Sequence, residues 1–177
     1  MIETGGHMRE LGKSGIKITP IGLGTWQFSQ GKTYNRFIWR KLATADQNSI
    51  IRAALDAGIN WFDTAEVYGG GRSEKGLSRA LQSAGVRNGQ VIIATKWYPV
   101  MRTAASIKKT IGKRLQKLAP FNVDLHQVHN SASFSKTEEE MDAMAGLVRG
   151  GQIKAVGVSN FNVRSMLSAH SRLQAHG

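Results

Sequence analysis

Short apolar runs recur along this chain at intervals of roughly thirty residues, and each ends on a residue able to do chemistry. Ile21 to Thr25 ends on Trp26, Asn60 to Phe62 on Asp63, Val91 to Thr95 on Lys96, Val123 to Val128 on His129, and Ile153 to Val158 on Ser159 and Asn160. The intervening segments carry apolar residues at helical spacing. This alternation constrains the fold more than any other feature. Near-continuous apolar strands separated by helix-length connections call for a parallel sheet covered by right-handed crossovers.

In chain order, residues 1–7 read as a leader or cloning remnant and residues 8–177 as one domain. Arg9 to Leu11 and Ile16 to Ile18, joined through Gly12-Lys13-Ser14-Gly15, predict a small hairpin. Gly22 and Gly24 interrupt the first strand, which suggests a strand end facing a bound molecule. Gln27 to Leu42, which contains Trp39, is expected to form a long loop. Thr44-Ala45-Asp46-Gln47 has the form of a capping box before a helix that closes at Gly58. Further helices are expected to open at Ser73, at Thr103, within Ser135-Lys136-Thr137-Glu138 and at Asn162. The last of these carries Val163, Met166, Leu167 and Leu173 on its apolar side.

Two architectures fit: a doubly wound sheet, or part of a (β/α) barrel. A dinucleotide-binding G-x-G-x-x-G turn is missing from the first strand, and Gly69-Gly70-Gly71 lacks its spacing. A barrel suits the residues better, because it gathers all strand carboxyl ends on one rim. Trp26, Asp63, Lys96, His129 and Asn160 would then converge.

The 177 residues suffice for one sizeable core, and no apolar run approaches a membrane span. The chain has no cysteine, which rules out a disulfide scaffold and fits a cytoplasmic protein. The formal charge of +12 raises nucleic acid as a partner. Lys108, Lys109, Lys113, Arg114 and Lys117 are scattered without interleaved aromatic residues, however, so no nucleic-acid interface is expected. Neither is a metal site, since Glu138 to Glu140 reads as a helix start. His126, in mid-strand, is expected to be a packed or barrel-lining polar group and not a ligand.

Gathered at one rim, these side chains form a proton-donating device. Tyr68 is a weak acid, and an ammonium at Lys96 would stabilise its phenolate and lower its pKa. Asp63 would keep that ammonium charged, and His129 could hydrogen-bond an oxygen on which negative charge develops. A carbonyl oxygen is a suitable recipient for the proton. No side chain supplies hydride, so a nicotinamide cofactor is implied, and Ser159 and Asn160 offer polar groups suited to its carboxamide.

The sequence resembles the aldo-keto reductases. The motifs are Gly22-Leu23-Gly24-Thr25-Trp26, Asn60-Trp61-Phe62-Asp63-Thr64-Ala65 with Tyr68-Gly69, Arg72-Ser73-Glu74, Ala94-Thr95-Lys96, Val123-Asp124-Leu125 running to Val128-His129, and Val156-Gly157-Val158-Ser159-Asn160-Phe161. The resemblance implies a (β/α)8 barrel of the TIM-barrel type, with about five of eight βα units present behind the N-terminal hairpin. It implies a catalytic tetrad of Asp63, Tyr68, Lys96 and His129, with Tyr68 as general acid. Gly24, Thr25, Trp26, Asp63, Ser159 and Asn160 become cofactor-binding, and Trp26, Tyr68, Trp97 and His129 substrate-binding.

The implied activity is NAD(P)H-dependent reduction of aldehydes and ketones, with NADPH as cofactor and NAD as the alternative. The loop with Trp39 and the run Gly71-Arg72-Ser73-Glu74 resemble a bacterial and plant branch of the family. Asn130 departs from the pattern, standing where many relatives have Trp-Pro. Relatives run to roughly twice this length and close the barrel, so a C-terminal truncation is expected here, with self-association through the open sheet edges as its consequence. A non-catalytic, cofactor-binding redox sensor and an inactive fragment stand as alternatives to the reductase.

Overall fold

Residues 8–29 and 42–176 are described by the structure, a computed structural model. Ahead of the main sheet, β1 (Arg9–Glu10) pairs antiparallel with β2 (Lys17–Ile18), as the hairpin reading expects. Five parallel strands follow: β3 (Leu23–Gly24), β4 (Trp61–Asp63), β5 (Ile92–Trp97), β6 (Leu125–Val128) and β7 (Ala155–Val158). Their order in space is their order in sequence. A sheet that never reverses direction is singly wound, which is how a barrel wall grows and a doubly wound sheet does not.

Among the described residues five α-helices lie between and after the strands: α1 (Thr44–Asp56), α2 (Arg72–Ser83), α3 (Ala105–Leu118), α4 (Thr137–Arg149) and α5 (Val163–Gln174). The two faces of the sheet have different neighbours. Phe62, Ile93, Trp97 and Val128 belong to the main core with Ile51, Leu77, Leu81, Ile107, Ile111, Met141 and Met144 from the helices. Ile92, Ala94, Leu125 and Ala155 form a second cluster with Ile16 and Ile18 of the hairpin, which covers the amino-terminal end of the inner wall. This split is the period-two alternation of a strand, and it decides which residues can reach a site on the inner face.

The helices begin within two residues of where the sequence places them, but their ends are satisfied differently. At α1 the first-turn carboxylate of Asp46 accepts the Ala43 N–H at 3.2 Å, and Thr44 is already helical. Ser73 and Ser135 are not caps. Ser73 joins a buried hydroxyl cluster, and Ser135 Oγ accepts from the Ala104 N–H at 3.0 Å. Helix α3 opens at Ala105, two residues past Thr103. Asn162 does cap α5, its Oδ1 accepting from Ser165 N–H at 2.8 Å, a bond that stabilises a helix by about 1 kcal/mol.

Helix α5 lies against α4 but leaves most of its apolar side to solvent: Val163, Met166 and Leu167 are 68%, 47% and 57% exposed. Only Ala169 is fully buried there, with Leu173 packed partly against the core. Of the expected loop Gln27 to Leu42, residues 26–29 form a 3-10 turn with Phe28 buried. Trp39 and the supposed leader lie outside the described residues.

Candidate active site

The rim forms because backbone pairing continues past each strand. Thr25 N–H donates to Asp63 O at 2.8 Å, Thr64 N–H to Ala94 O at 2.9 Å and Glu66 N–H to Lys96 O at 3.2 Å. His129 N–H donates to Trp97 O at 3.0 Å and Ser159 N–H to Val128 O at 2.8 Å. The carboxyl ends are thereby held level, so residues distant in sequence become neighbours. Asp63 and Lys96 both lie on the inner side, in register with Ala94 and Gln127 respectively.

Lys96 is buried and forms an ion pair with Asp63 Oδ2, and it also donates to Thr64 O at 2.9 Å. Burial pushes the Asp63 carboxyl above its ordinary value, against the pull of the Lys96 ammonium. Gln127, the residue of β6 paired with Lys96, donates its Nε2 to Asp63 Oδ1 at 3.3 Å. The Lys96 ammonium stands 5.2 Å from the centre of the Tyr68 ring. His129 meets that ring edge-on, with centroids 5.6 Å apart, and Trp26 leans over it at 5.8 Å. The four expected tetrad residues are therefore together.

Tyr68 sits in a 3-10 turn, Tyr68–Gly70, whose backbone is pressed against residue 29. A Cβ on Gly69, at φ +64°, would come 2.5 Å from Ser29 O. Glycine is therefore required there by close approach as well as by conformation. The phenol pKa does not fall, as had been expected from Lys96; it is pushed up to about 12 by burial and by the Asp63 carboxylate. Lys96 is paired with that same carboxylate, which offsets its field at the phenol. Tyr68 is thus a fully protonated donor near neutral pH. Burial, helped by the Lys96 charge, pushes His129 down to about 4, so its ring is neutral. His129 Nδ1 is buried with no partner among the described residues.

Two expected positions are corrected by strand alternation and a third, Gly22, by packing. Trp97 follows Lys96 and so faces the opposite way; it is fully buried under the helices and its Nε1 donates to Ser106 Oγ at 3.0 Å. It is no pocket residue in this arrangement. Thr25 is likewise fully buried on the helix side, its hydroxyl 2.9 Å from Asp63 O and 3.0 Å from Ser73 Oγ, so it presents nothing to a cofactor. Gly22 makes room for a side chain and not for a ligand, since a Cβ there would come 2.2 Å from the Trp61 indole. Gly24 faces open space.

The residue that does turn back to the site after Trp97 is Tyr98, whose ring meets His129 edge-on with centroids 5.9 Å apart. Tyr98, like Gln127, was missed in the sequence reading, although counting every second residue from Lys96 and His129 points to both. Ser159 and Asn160 stand at the β7 end of the rim. Asn160, at φ +54°, donates Nδ2 to His129 O at 2.9 Å and to Ser159 Oγ at 3.0 Å. His126, by contrast, is buried in the outer layer with its Nδ1 3.3 Å from Thr95 O, a packed polar group as expected.

A nicotinamide is compatible with this rim. Gly24 lacks a side chain beside Trp26, Asn160 Oδ1 accepts no hydrogen bond from the described residues and can face a carboxamide, and a protonated phenol stands beside an ammonium. No group of three or more ligands for a metal ion occurs among the described residues, and none of their helices is long and apolar enough to cross a membrane.

The family model described as Aldo/keto reductase family matches residues 20–176. Aldo-keto reductase YhdN of Bacillus subtilis is 39% identical over 163 residues, covering 86% of this chain and 46% of its own length. Among solved structures, a thermostable aldo-keto reductase in complex with the inhibitor epalrestat superposes with a TM-score of 0.79 at 31% identity, covering 94% of this chain and 58% of the other. An aldo-keto reductase from Klebsiella pneumoniae in complex with NADPH gives a TM-score of 0.71 at 27% identity, covering 89% and 51%. The chain spans about half the length of the curated relatives it matches.

Proposed function

We propose, from the premise that this chain belongs to the aldo/keto reductase family, that its rim reduces aldehydes and ketones to alcohols with NADPH, Tyr68 giving the proton. The observation that carries this reading is the grouping of Tyr68 with Lys96 at 5.2 Å and His129 at 5.6 Å around one open mouth. A bound dihydronicotinamide would supply the hydride to the carbonyl carbon.

Every other part falls to this chain. Tyr68 donates its phenolic proton to the carbonyl oxygen as negative charge develops there. Lys96, ion-paired with Asp63, then stabilises the phenolate left behind. Neutral His129 hydrogen-bonds the same carbonyl oxygen and orients it toward Tyr68. Trp26 and Tyr98 form the walls that exclude water and position the carbonyl group. Ser159 and Asn160, with Gly24 opposite, are the residues that would hold the nicotinamide end. NADPH is preferred over NAD in this reading by analogy with the Klebsiella pneumoniae complex, and a cytoplasmic setting belongs to it.

Tyr68→Phe is the decisive test. Turnover of a simple aldehyde, followed by nicotinamide absorbance, should fall by on the order of 10³-fold with NADPH affinity nearly unchanged, since only the proton is removed. Wild-type turnover in that variant overturns the assignment. NADPH binding with no turnover in the wild type would instead favour a redox-sensing module.

A further inference from the structure

Behind the rim lies a set of charges that the reduction chemistry does not use. Glu66 is mostly buried in the loop between Asp63 and Tyr68, and its carboxylate is claimed from three directions. Oε1 accepts from Tyr98 N–H at 2.6 Å and from Arg102 Nη1, and Oε2 accepts from Arg114 Nη1. Arg102 in turn donates to Tyr98 O at 3.0 Å, to Ser106 Oγ at 3.0 Å and to Thr110 Oγ1 at 2.9 Å. Its guanidinium lies over the Trp97 ring at 5.3 Å. Both polar groups of the Tyr98 backbone are therefore held, the N–H by Glu66 and the carbonyl by Arg102.

This arrangement has a geometric consequence. The loop from Asp63 to Tyr68 and the segment from Trp97 to Arg102 are separate stretches after different strands. Glu66 N–H donates to Lys96 O at 3.2 Å while the Glu66 side chain takes Tyr98 N–H, so one residue joins the two stretches through both its backbone and its carboxylate. The bonds are charge-assisted and specific in direction. A side chain that fixes a neighbouring backbone in this way sets the distance between two walls of a cleft, here Tyr68 on one stretch and Tyr98 on the other.

We infer that Glu66, acting with Arg102, is a positioning residue that sets the Tyr98 wall against the Tyr68 loop and so determines which carbonyl compounds fit between them. The kinetic side of this inference rests on the reductase reading; the clamp itself does not. The hydrogen bonds and ion pairs of the Glu66 side chain among the described residues go to Tyr98 N–H, Arg102 and Arg114 and not to Tyr68 or His129, so its role runs through the Tyr98 backbone.

Two measurements on Glu66→Ala test it. In the first, amide hydrogen exchange on the 177-residue chain, Tyr98 and residues 64–70 should exchange at least about tenfold faster together, while Leu125–Val128 of β6 stays protected. Arg102→Met serves if Glu66→Ala does not fold, because it leaves the Glu66–Arg114 pair in place. Unchanged exchange at Tyr98 with β6 protected overturns the clamp.

In the second, KM for a ring-bearing aldehyde should rise about tenfold, with kcat and NADPH affinity altered by less than about threefold and a two-carbon aldehyde scarcely affected. Glu66→Gln, which keeps an acceptor for Tyr98 N–H, should recover part of the KM. An equal loss for both aldehydes, or no KM change despite faster exchange, overturns the positioning role. Absence of turnover in the wild type defeats the reductase reading, and the exchange measurement still decides the clamp.

Discussion

On one side of residues 63–68 a single ammonium meets a single carboxylate at the mouth of the sheet; on the other, two arginines and two glutamates lock together beneath the helices. The front pair, Lys96 with Asp63, keeps some access to water, the Asp63 side chain being 25% exposed. Two of the three Lys96 donors are used, by Asp63 Oδ2 and Thr64 O, so among the described residues one remains for the open mouth. The rear cluster is enclosed at its centre, where the Arg114 and Glu74 side chains are 4% and 0% exposed. Arg114 is shared between Glu66 and Glu74, with its Nε 2.9 Å from Glu74 Oε1, and Thr95 Oγ1 donates to the same oxygen at 2.9 Å. The difference teaches that similar residue types serve opposite ends. Charge left partly uncommitted beside a phenol can respond to a reaction, whereas charge buried and shared between several segments fixes a backbone.

The sharpest way to separate the two is to remove one cation from each. Lys96→Met should lower aldehyde turnover by roughly 10³-fold, because the positive charge opposite the developing phenolate is lost. Water can solvate Asp63 in its place, so the melting temperature should move less than for the rear variant. Arg114→Leu should do the reverse. It leaves two carboxylates without their shared cation, a loss of about 3–5 kcal/mol of stability, which for a chain of this size lowers the melting temperature by on the order of 10 °C. If the two variants lose activity and stability in the same proportion, the distinction drawn here fails.

A smaller effect probes the turn that carries Tyr68. Gly69→Ala places a Cβ against Ser29 O in a left-handed conformation, at a cost of about 1–3 kcal/mol. Since the strain falls on Tyr68's own turn, turnover should drop further than stability predicts, whereas the rear cluster should keep its hydrogen-exchange protection.

The mildest test uses pH. Burial pushes the Glu74 carboxyl up to about 7 from an ordinary value of 4.5, against the pull of Arg114. The folded state then binds more protons at this site than the unfolded chain between those values, so stability contributed here falls as pH rises from about 4.5 to about 7. The difference in unfolding free energy between wild type and Glu74→Gln should therefore shrink over that interval and level off above it. A difference that grows with pH shows that Arg114 holds Glu74 ionised throughout.

Much of this was legible in the sequence. Apolar runs ending in Asp63, Lys96 and His129, spaced by helix-length segments, were enough to predict a parallel sheet with its useful residues on one rim, since the spacing of buried side chains reflects local backbone geometry. The errors came where one residue's direction mattered. The resemblance implied Trp97 and Thr25 as site residues, whereas a strand sends them to the face opposite Lys96 and Gly24. Ser73 carried the signature of a helix cap, yet its hydroxyl lies 2.8 Å from Thr64 Oγ1 in the core.

By itself the sequence determined the alternation of strands and helices, because that follows from periodicities set within a few residues, and its motifs carried the resemblance to the family. It could not say that Glu66 reaches Tyr98, that the Asp63 carboxylate offsets Lys96 at the Tyr68 phenol, or that α5 turns Val163, Met166 and Leu167 to solvent. Those depend on which distant segments come within a few ångströms of one another. Hydrogen bonding and the electrostatic field at a buried group are properties of that packing, and only the tertiary structure decides it.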